Sequence, residues 1–562
     1  MANKILTPVT LWSDFDDSLP VVGTVSDEAA EDGVILRYVR FPGRQVGEER
    51  VNIFAAFAMP EKEGKFPALL ILPDCERTSD AALAKMFARK GFAVLMPDYR
   101  GIWDDTHGYT VYPKAIDYAN YRQAGRRMDY ADETAKETCW YEWVAVARYA
   151  LRFLQTSDRI ERIGAIGLKA GGEIVWQLSA TAEGLSCAVP VCAGGWRAYR
   201  GVHKFGENNE LVMDDERYRF LAGVESQAYA PYAKCPVLML CSTNDENFEA
   251  DRAFDTYARI NPEVEKSFYF AVRYNGCIGR NGLEDLFSFL GKYLKGMEMF
   301  IPAPLEICVD EDGGDLVARV RVDQDGEVSA FNAYMAEDNP DCDTRDWTLC
   351  PLKRVEEESG EILFYLNAFK EASRVYVFAD AKYSCGFSVS SKIAVKRLEK
   401  QYTNMTDRSR ILYSSDAGRD SFTPDDLREK LLAGCFLYGD SEPVRLIDGP
   451  HGIKGVYSPY GLRLYRINDG RYRPKENALL KFDVCSAEDA ELEISVCVCG
   501  GEKNEFYTHV LRVPGGDCWT GHVFGVKDFK DAVNKPLSHF GDAAYICFRS
   551  NGTVGVNNLI WL

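Results

Sequence analysis

The sequence predicts a doubly wound α/β domain over residues 1–301, followed by two all-β sandwich domains over residues 302–400 and 401–562. In the first part, short apolar runs typical of buried parallel strands alternate with helical stretches. After Pro302, apolar residues alternate one by one with polar ones, which is typical of antiparallel strands with one buried face. The length of 562 residues also exceeds what one hydrophobic core supports.

The first domain opens with strand-like runs and continues as a repeated strand and helix pattern. Strand, helix and strand at this spacing predict βαβ units, and apolar residues at helical spacing predict that the stretch beginning CWYEW packs on the sheet. A polar, aromatic-rich insertion runs from Trp196 to Ala233. The predicted elements are, in chain order, GVILRYVRF, RVNIFAAFAM, FPALLILPD, AALAKMFARKG, GFAVLMPDYRG, CWYEWVAVARYALRFLQT, CAVPVCAGG, CPVLMLCSTND, SFYFAVRYNG and LEDLFSFLGKYLKG.

The rest of the chain is predicted to be all-β. The alternation is clearest at ELEISVCV, residues 491–498, where Leu492 and Ile494 share one face and Glu491 and Glu493 the other. The segment EKQYTNMTDRSR predicts a linker between the two sandwich domains.

Composition and charge exclude several classes of function. The formal net charge is −19 and no run of Lys or Arg forms a basic face, so we expect neither a nucleic-acid partner nor binding to an anionic membrane surface. The N-terminal MANKILTPVTLWSDFDD has no signal-peptide pattern, so we expect a cytoplasmic protein with 17 reduced cysteines. We expect no metal and no cofactor, and the oligomeric state stays open.

The stretch RIGAIGLKAGG, residues 162–172, predicts a strand that enters a tight glycine turn and then a helix. This is the setting of a G-x-S-x-G nucleophile elbow, but Lys169 stands at the serine position. With LLILPD, PDYRG, the WYEW helix and LMLCSTNDENF, this order of motifs resembles the α/β-hydrolase fold, and within it the dienelactone-hydrolase and acetyl-xylan-esterase-like enzymes. The resemblance covers about half of the chain.

The two later domains show weaker resemblances. The middle domain resembles an immunoglobulin or fibronectin-type sandwich. The last domain, through DFKD and the closing VGVNNLIWL, is similar to jelly-roll, galactose-binding-like carbohydrate modules.

The resemblance to hydrolases implies a triad in the order nucleophile, acid, histidine, and this sequence departs from it. Asp245, after the strand CPVLMLC, matches the acidic position, and Asp251 is a less favoured substitute. The histidine position falls at or near Gly276 and Cys277, where no histidine stands. A lysine at the elbow cannot form an acyl-ester intermediate, so the resemblance implies a degenerate triad.

The resemblance also implies a glycine-rich oxyanion loop after LLIL, where this chain has PDCER. The carboxylate of Asp74 would oppose the negative charge that such a loop stabilises. We predict that Asp74, Cys75 and Ala170 line the pocket at the elbow. A buried ammonium needs a partner, so we expect Lys169 to pair with Asp245, with Asp74 as a possible third member; the alternative is that the amine reaches water.

Trp196 and Tyr199, in the insertion, are predicted to form the lid or the pocket wall. They would stack on a sugar ring, or they form an aromatic cluster that pins the lid to the sheet, and both interpretations stay open.

The sequence leaves three catalytic alternatives open. Lys169 could form a Schiff base, Cys277 could act as a thiol nucleophile, and His203 or His451 could replace the missing base. The sequence favours a catalytically inactive, esterase-like protein that binds a carbohydrate or an acylated small molecule, or that serves as a scaffold. The alternative is an active carbohydrate esterase or other ester hydrolase with a rearranged site.

Overall fold

The structure of this protein is a computed structural model. The described residues are 4–18, 21–103, 108–207, 210–356, 359–427, 431–432, 434–437, 443–500 and 503–562.

One nine-stranded sheet forms the centre of the first domain. Its strands are β1 Thr24–Glu31, β2 Val34–Val46, β3 Glu49–Pro60, β4 Phe66–Leu72, β5 Ala93–Pro97, β6 Ile160–Leu168, β7 Leu185–Val191, β8 Val237–Ser242 and β9 Lys266–Ala271. Their order across the sheet is β1-β2-β3-β5-β4-β6-β7-β8-β9. The strands β1, β2, β3 and β5 pair antiparallel, whereas β5, β4 and β6 to β9 run parallel.

Eight α-helices are found in the described part of the chain, all in the first domain. They are α1 Pro8–Leu11, α2 Ala81–Arg89, α3 Cys139–Gln155, α4 Ala170–Thr181, α5 Asp215–Val224, α6 Ser226–Tyr229, α7 Ala250–Arg259 and α8 Gly279–Lys295. Side-chain caps define where some of these helices begin. The Asp80 side chain accepts the Leu83 N–H at the start of α2, and the Thr138 hydroxyl accepts the Tyr141 N–H at the start of α3.

Helices cover both faces of this sheet, so the predicted doubly wound α/β-hydrolase sheet is confirmed. One core contains residues of α3 and α4, and the other contains residues of α2 and α8. Successive side chains of a strand point to opposite faces, and accordingly Ala165 belongs to one core and Ile166 to the other. The carboxyl ends of the parallel strands therefore meet at one edge, where a site of this fold is built.

Two antiparallel sheets follow in the middle of the chain. Their strands are β10 Glu306–Asp312, β11 Asp315–Arg321, β12 Val328–Glu337, β13 Thr348–Leu349, β14 Leu352–Val355, β15 Ile362–Tyr365, β16 Arg374–Tyr383, β17 Ser388–Ser390 and β18 Ala394–Arg397. One sheet has the order β10-β11-β15-β14, and the other has β13-β12-β16-β17 with β18 also paired to β16.

The last part of the chain forms two larger antiparallel sheets and a separate hairpin. The strands are β19 Ile411–Tyr413, β20 Thr423–Pro424, β21 Leu431–Leu432, β22 Phe436–Leu437, β23 Arg445–Asp448, β24 Lys454–Tyr457, β25 Leu462–Leu464, β26 Leu480–Cys485, β27 Ala490–Gly500, β28 Lys503–Val513, β29 Thr520–Phe524, β30 Ala543–Ser550 and β31 Gly555–Trp561. The sheets are β23-β24-β31-β26-β29 with β19 on β31, and β20-β25-β30-β27-β28, while β21 and β22 pair with each other. The antiparallel sheets agree with the predicted β-sandwiches; the immunoglobulin-like and galactose-binding-like types stay predictions.

A buried ion pair joins the first and middle parts of the chain. Arg345 donates to both carboxylate oxygens of Asp251, with both N···O distances at 2.6 Å, and neither side chain is exposed. The guanidinium carbon also lies 3.7 Å from the centre of the Tyr376 ring. Asp251, at the start of α7, is therefore committed to Arg345, and this contact argues against it as the acid of a triad.

In the described part of the chain, no helix has the length and apolar character needed to cross a membrane.

Candidate functional site

The elbow between β6 and α4 holds Lys169 in a strained conformation, with φ 52° and ψ −111°. Two glycines make this turn possible. A β-carbon on Gly167 would lie 2.1 Å from the Gly171 carbonyl oxygen, and one on Gly171 would lie 2.1 Å from the Leu72 carbonyl oxygen. The sharp turn of a nucleophile elbow is thus present, and it projects an amine where a hydrolase projects a hydroxyl.

Asp245 lies just after β8 and is 2% exposed. Its carboxylate accepts the Asn247 N–H at 2.8 Å and the Ser242 hydroxyl at 3.5 Å. The Ser242 hydroxyl also accepts the Gly276 N–H at 3.0 Å, so it ties the loop after β8 to the loop after β9.

Gly276 stands at the predicted histidine position and lies close to both of the other triad positions. A β-carbon on Gly276 would lie 3.0 Å from the Lys169 Nζ and 3.6 Å from an Asp245 carboxylate oxygen. A side chain at residue 276 would therefore extend between residues 169 and 245, as the imidazole of a triad does. In this chain the end of the Lys169 side chain occupies that space.

Lys169 is attracted to Asp245 without a direct ion pair. None of the described carboxylates lies within 4.0 Å of the Lys169 amine, so the predicted pairing is a longer-range attraction. Burial lowers the pKa of Lys169, but the negative charges of Asp245 and Asp74 outweigh this effect, and the pKa is raised. Burial raises the pKa of Asp245, and the attraction to the Lys169 amine offsets only part of this rise. A raised pKa keeps the amine protonated and unsuited to attack a carbonyl group.

The loop after β4 places a carboxylate where an oxyanion would bind. Asp74 Oδ1 accepts the backbone N–H of Cys75 at 2.8 Å and that of Ala170 at 3.4 Å. Ala170 follows the nucleophile position, and the N–H of that residue is one of the two oxyanion donors in this fold. The Asp74 side chain thus uses this donor and adds negative charge beside it.

The hairpin β21–β22 of the last domain lies over the elbow. The Cys435 carbonyl accepts the Ile278 N–H at 3.3 Å, and Cys435 is fully buried. A β-carbon on Gly434 would lie 3.0 Å from the Arg77 Nε, and Phe436 packs on Phe87 of α2 with ring centres 6.1 Å apart. Residues 434–436 therefore span the space between the loops after β4 and β9.

The thiols of the site are buried. Burial raises the pKa of Cys277 to about 12 and also raises that of Cys75, so both stay protonated near neutral pH. Of the histidines that were alternative bases, His203 lies 3.8 Å from Asp341 and His451 lies in a loop whose Pro450 carbonyl accepts the Trp519 N–H. His107 lies outside the described residues.

Trp196 and Tyr199, the predicted lid residues, are engaged with α7. The Arg259 guanidinium lies 5.4 Å from the Trp196 ring centre, and the Arg252 guanidinium lies 4.4 Å from the Tyr199 ring centre. These contacts favour the interpretation that the two rings pin the insertion to the first domain. Their predicted place in the ligand pocket stays a prediction.

Sequence reasoning missed Ser242 and Cys435. Ser242 ends a strand next to Asp245, so its place at the strand's carboxyl end was a usable signal. Cys435 belongs to another domain, and no local pattern connects it with the elbow.

Among the described residues, no group of three or more His, Cys, Asp or Glu side chains is arranged to hold a metal ion.

One protein-family model matches the first part of the chain. Residues 53–267 match the model of the dienelactone hydrolase family, so the predicted resemblance is confirmed for that region. No curated protein matches the chain.

Solved structures similar to this chain include acetyl xylan esterases. The enzyme from Paenibacillus sp. R4 is 17% identical, with 50% of this chain and 90% of that chain covered and a TM-score of 0.39. Acetyl xylan esterase 1 from Thermoanaerobacterium sp. JW/SL YS485 is 17% identical, with 48% and 87% covered and a TM-score of 0.38. Est1E from Butyrivibrio proteoclasticus, with ferulic acid bound, is 15% identical, with 44% and 96% covered and a TM-score of 0.32.

Proposed function

We propose that this chain is a binding protein built on an esterase-like α/β-hydrolase domain that does not hydrolyse esters. The observation that carries the proposal is the amine of Lys169 at the elbow, 3.0 Å from the position that a Gly276 side chain would take. The hydroxyl nucleophile and the imidazole base are both replaced, and members of a triad act as a unit.

Asp74 supports the same proposal. Its carboxylate accepts the Ala170 N–H at 3.4 Å, and a developing oxyanion would meet a negative charge there. Buried Cys277, whose pKa is raised to about 12 by burial, argues against the alternative of a rearranged thiol hydrolase. We propose a carbohydrate or an acylated saccharide as the ligand class, as the family resemblance implies, and a cytoplasmic location.

The experiment measures turnover of p-nitrophenyl acetate by the purified full chain. We expect no turnover above that of a Lys169→Ala variant, because no group of the elbow can form an acyl ester. The Asp245→Asn variant is the matched control for the acid position and is expected to give the same background rate. Wild-type turnover that either substitution abolishes would overturn the proposal. A glycan array with acetylated and deacetylated saccharides tests the binding role, which fails if no spot retains the protein.

A further inference from the structure

A cavity lies between the carboxyl edge of the α/β sheet and the middle domain. Its volume is about 680 Å³, and Lys169, Asp245 and Gly276 are not among the residues that line it. Its walls come from the end of β9, from α8, from the sheet that contains β12 and β16, and from residues 419–424 of the last domain. Cavities of this size between domains commonly hold small molecules.

Arg273 is a buried cation in the wall of this cavity, and it interacts electrostatically with Asp346 and Asp420 without a direct ion pair to either. It is 8% exposed, and its Nε donates to the Trp347 carbonyl at 2.8 Å. Within the described ranges, its two terminal nitrogens make no hydrogen bond and no ion pair within 4.0 Å. A ligand carboxylate can satisfy two N–H groups of a guanidinium at once.

The other charged groups of the cavity are already engaged or lie toward solvent. The Lys382 amine donates to Glu284 at 3.0 Å, and the Asn332 amide donates to Asp380 at 2.9 Å. Asp420 is exposed. Among the described cations that line the cavity, Arg273 is the buried one, and its terminal nitrogens make no hydrogen bond and can therefore receive an anionic group.

Tyr334 lines the cavity together with Arg273 and Asp380 and interacts electrostatically with both. Its ring stacks on Phe378 with centres 5.1 Å apart, which holds the hydroxyl at a defined place. The Asn332–Asp380 pair beside it supplies one amide and one carboxylate, a combination that can both donate to and accept from ligand hydroxyls. Ser388 also lines the cavity, is 2% exposed, and has a hydroxyl without a hydrogen-bond partner.

We propose that this cavity binds a sugar acid, a polyhydroxylated ring that carries one carboxylate. The carboxylate pairs with the Arg273 guanidinium, the ring lies along Tyr334, and its hydroxyls reach Asp380 and Asn332. This site is independent of the elbow, and the proposal stands whether or not the elbow hydrolyses esters.

Isothermal titration calorimetry of the full chain with D-glucuronate and D-galacturonate tests the proposal. The control titrations use D-glucose and D-galactose, which lack the carboxylate, and acetate, which lacks the ring. We expect at least one uronate to bind about tenfold or more tightly than its neutral sugar and than acetate, because only the uronate uses both parts of the cavity. The absence of heat with both uronates would overturn the proposal, and so would equal binding of the neutral sugars or of acetate.

Substitutions of residues that line the cavity test whether the uronate binds there. Arg273→Gln is expected to weaken uronate binding about tenfold or more, while Arg321→Gln, an exposed arginine outside the cavity, leaves it unchanged. If Arg273→Gln does not fold, Tyr334→Phe decides, because it removes one hydroxyl and keeps the ring; unchanged binding of the uronate would then contradict the assignment. The esterase assay is a separate readout, so failure here leaves the elbow proposal intact.

Discussion

The Asp74 carboxylate accepts the backbone N–H of Ala170 at 3.4 Å, so the chain places its own anion on a donor that would stabilise an oxyanion. The Asp74 contact alters the oxyanion site, whereas the Lys169 amine replaces the nucleophile. Restoring a hydroxyl alone is therefore not expected to restore hydrolysis.

We predict that ester hydrolysis returns only when three positions change together. The variant Lys169→Ser/Gly276→His/Asp74→Ala supplies a hydroxyl, an imidazole next to Asp245, and a free Ala170 N–H. Histidine is among the residues that tolerate a positive φ, and shortening Lys169 removes the 3.0 Å contact that a β-carbon at residue 276 would make. Turnover of p-nitrophenyl acetate should exceed that of Lys169→Ser by about tenfold or more.

The control for this series is Lys169→Ala/Gly276→His/Asp74→Ala, which lacks only the hydroxyl. Equal turnover by the control and the triple variant would show that the activity does not come from the elbow.

The second prediction concerns the buried pair of Arg345 and Asp251. Arg345→Met leaves the Asp251 carboxylate buried without a cation, which should lower the free energy of unfolding by about 3–5 kcal/mol. Arg345→Met/Asp251→Leu removes both charges and should recover most of this loss. Urea unfolding followed by circular dichroism measures both. Lys234→Met, which breaks an exposed pair with Glu183, should leave the midpoint nearly unchanged; a loss as large as that of Arg345→Met would contradict the argument from burial.

The third prediction is a pH dependence of stability through Glu173. Burial raises the pKa of this carboxyl group from 4.5 to about 8, with Arg197 opposing and Glu225 adding to the rise. The folded state therefore keeps a proton that the unfolded state releases, and the stability that this gives declines as the pH rises from about 4.5 through about 8.

Glu173→Gln stays neutral and should show a shallower decline of the unfolding free energy between about pH 5 and pH 8. Urea unfolding at several pH values measures the slope. Glu161→Gln, at an exposed position, should keep the wild-type slope. Parallel slopes for wild type and Glu173→Gln would refute the prediction.

The fourth prediction concerns the cover over the elbow. In the native chain we expect rapid reaction of Ellman's reagent with the exposed Cys308, Cys385 and Cys518. Exposed Cys499 should react more slowly, because its hydrogen bond with Cys497 raises its pKa. Cys435 should stay unreactive because it is buried where the hairpin that contains it packs on the first domain. Phe436→Ala removes the contact with Phe87 and should speed the labelling of Cys435 about tenfold or more, read by peptide mass spectrometry. Phe506→Ala, at a residue 46% exposed, is the matched control and should leave Cys435 protected.

The elbow could be located from sequence because its constraints are local. Gly167 and Gly171 stand where a β-carbon would lie 2.1 Å from a backbone oxygen, so the turn requires glycine whatever else surrounds it. The alternation of strands and helices likewise follows from short-range periodicity, and the observed α/β sheet agrees with the prediction. The absence of a histidine near Gly276 could also be read directly from the residues.

Long-range contacts could not be predicted in this way. Asp251 was a candidate acid until the structure placed Arg345, 94 residues later in the chain, on both of its oxygens. The cavity beside Arg273 joins segments of all three parts of the chain, and no periodicity encodes such a meeting.

The amino-acid sequence by itself determined the order of the elements and the exchange of a hydroxyl for an amine at residue 169, because these depend on side-chain identity and on near neighbours. Only the tertiary structure decided that the Asp74 carboxylate turns onto Ala170 and that the hairpin with Cys435 lies over the amine. Side-chain direction and packing between distant segments arise from the fold as a whole, since the free energy of each contact depends on every neighbour that excludes water from it.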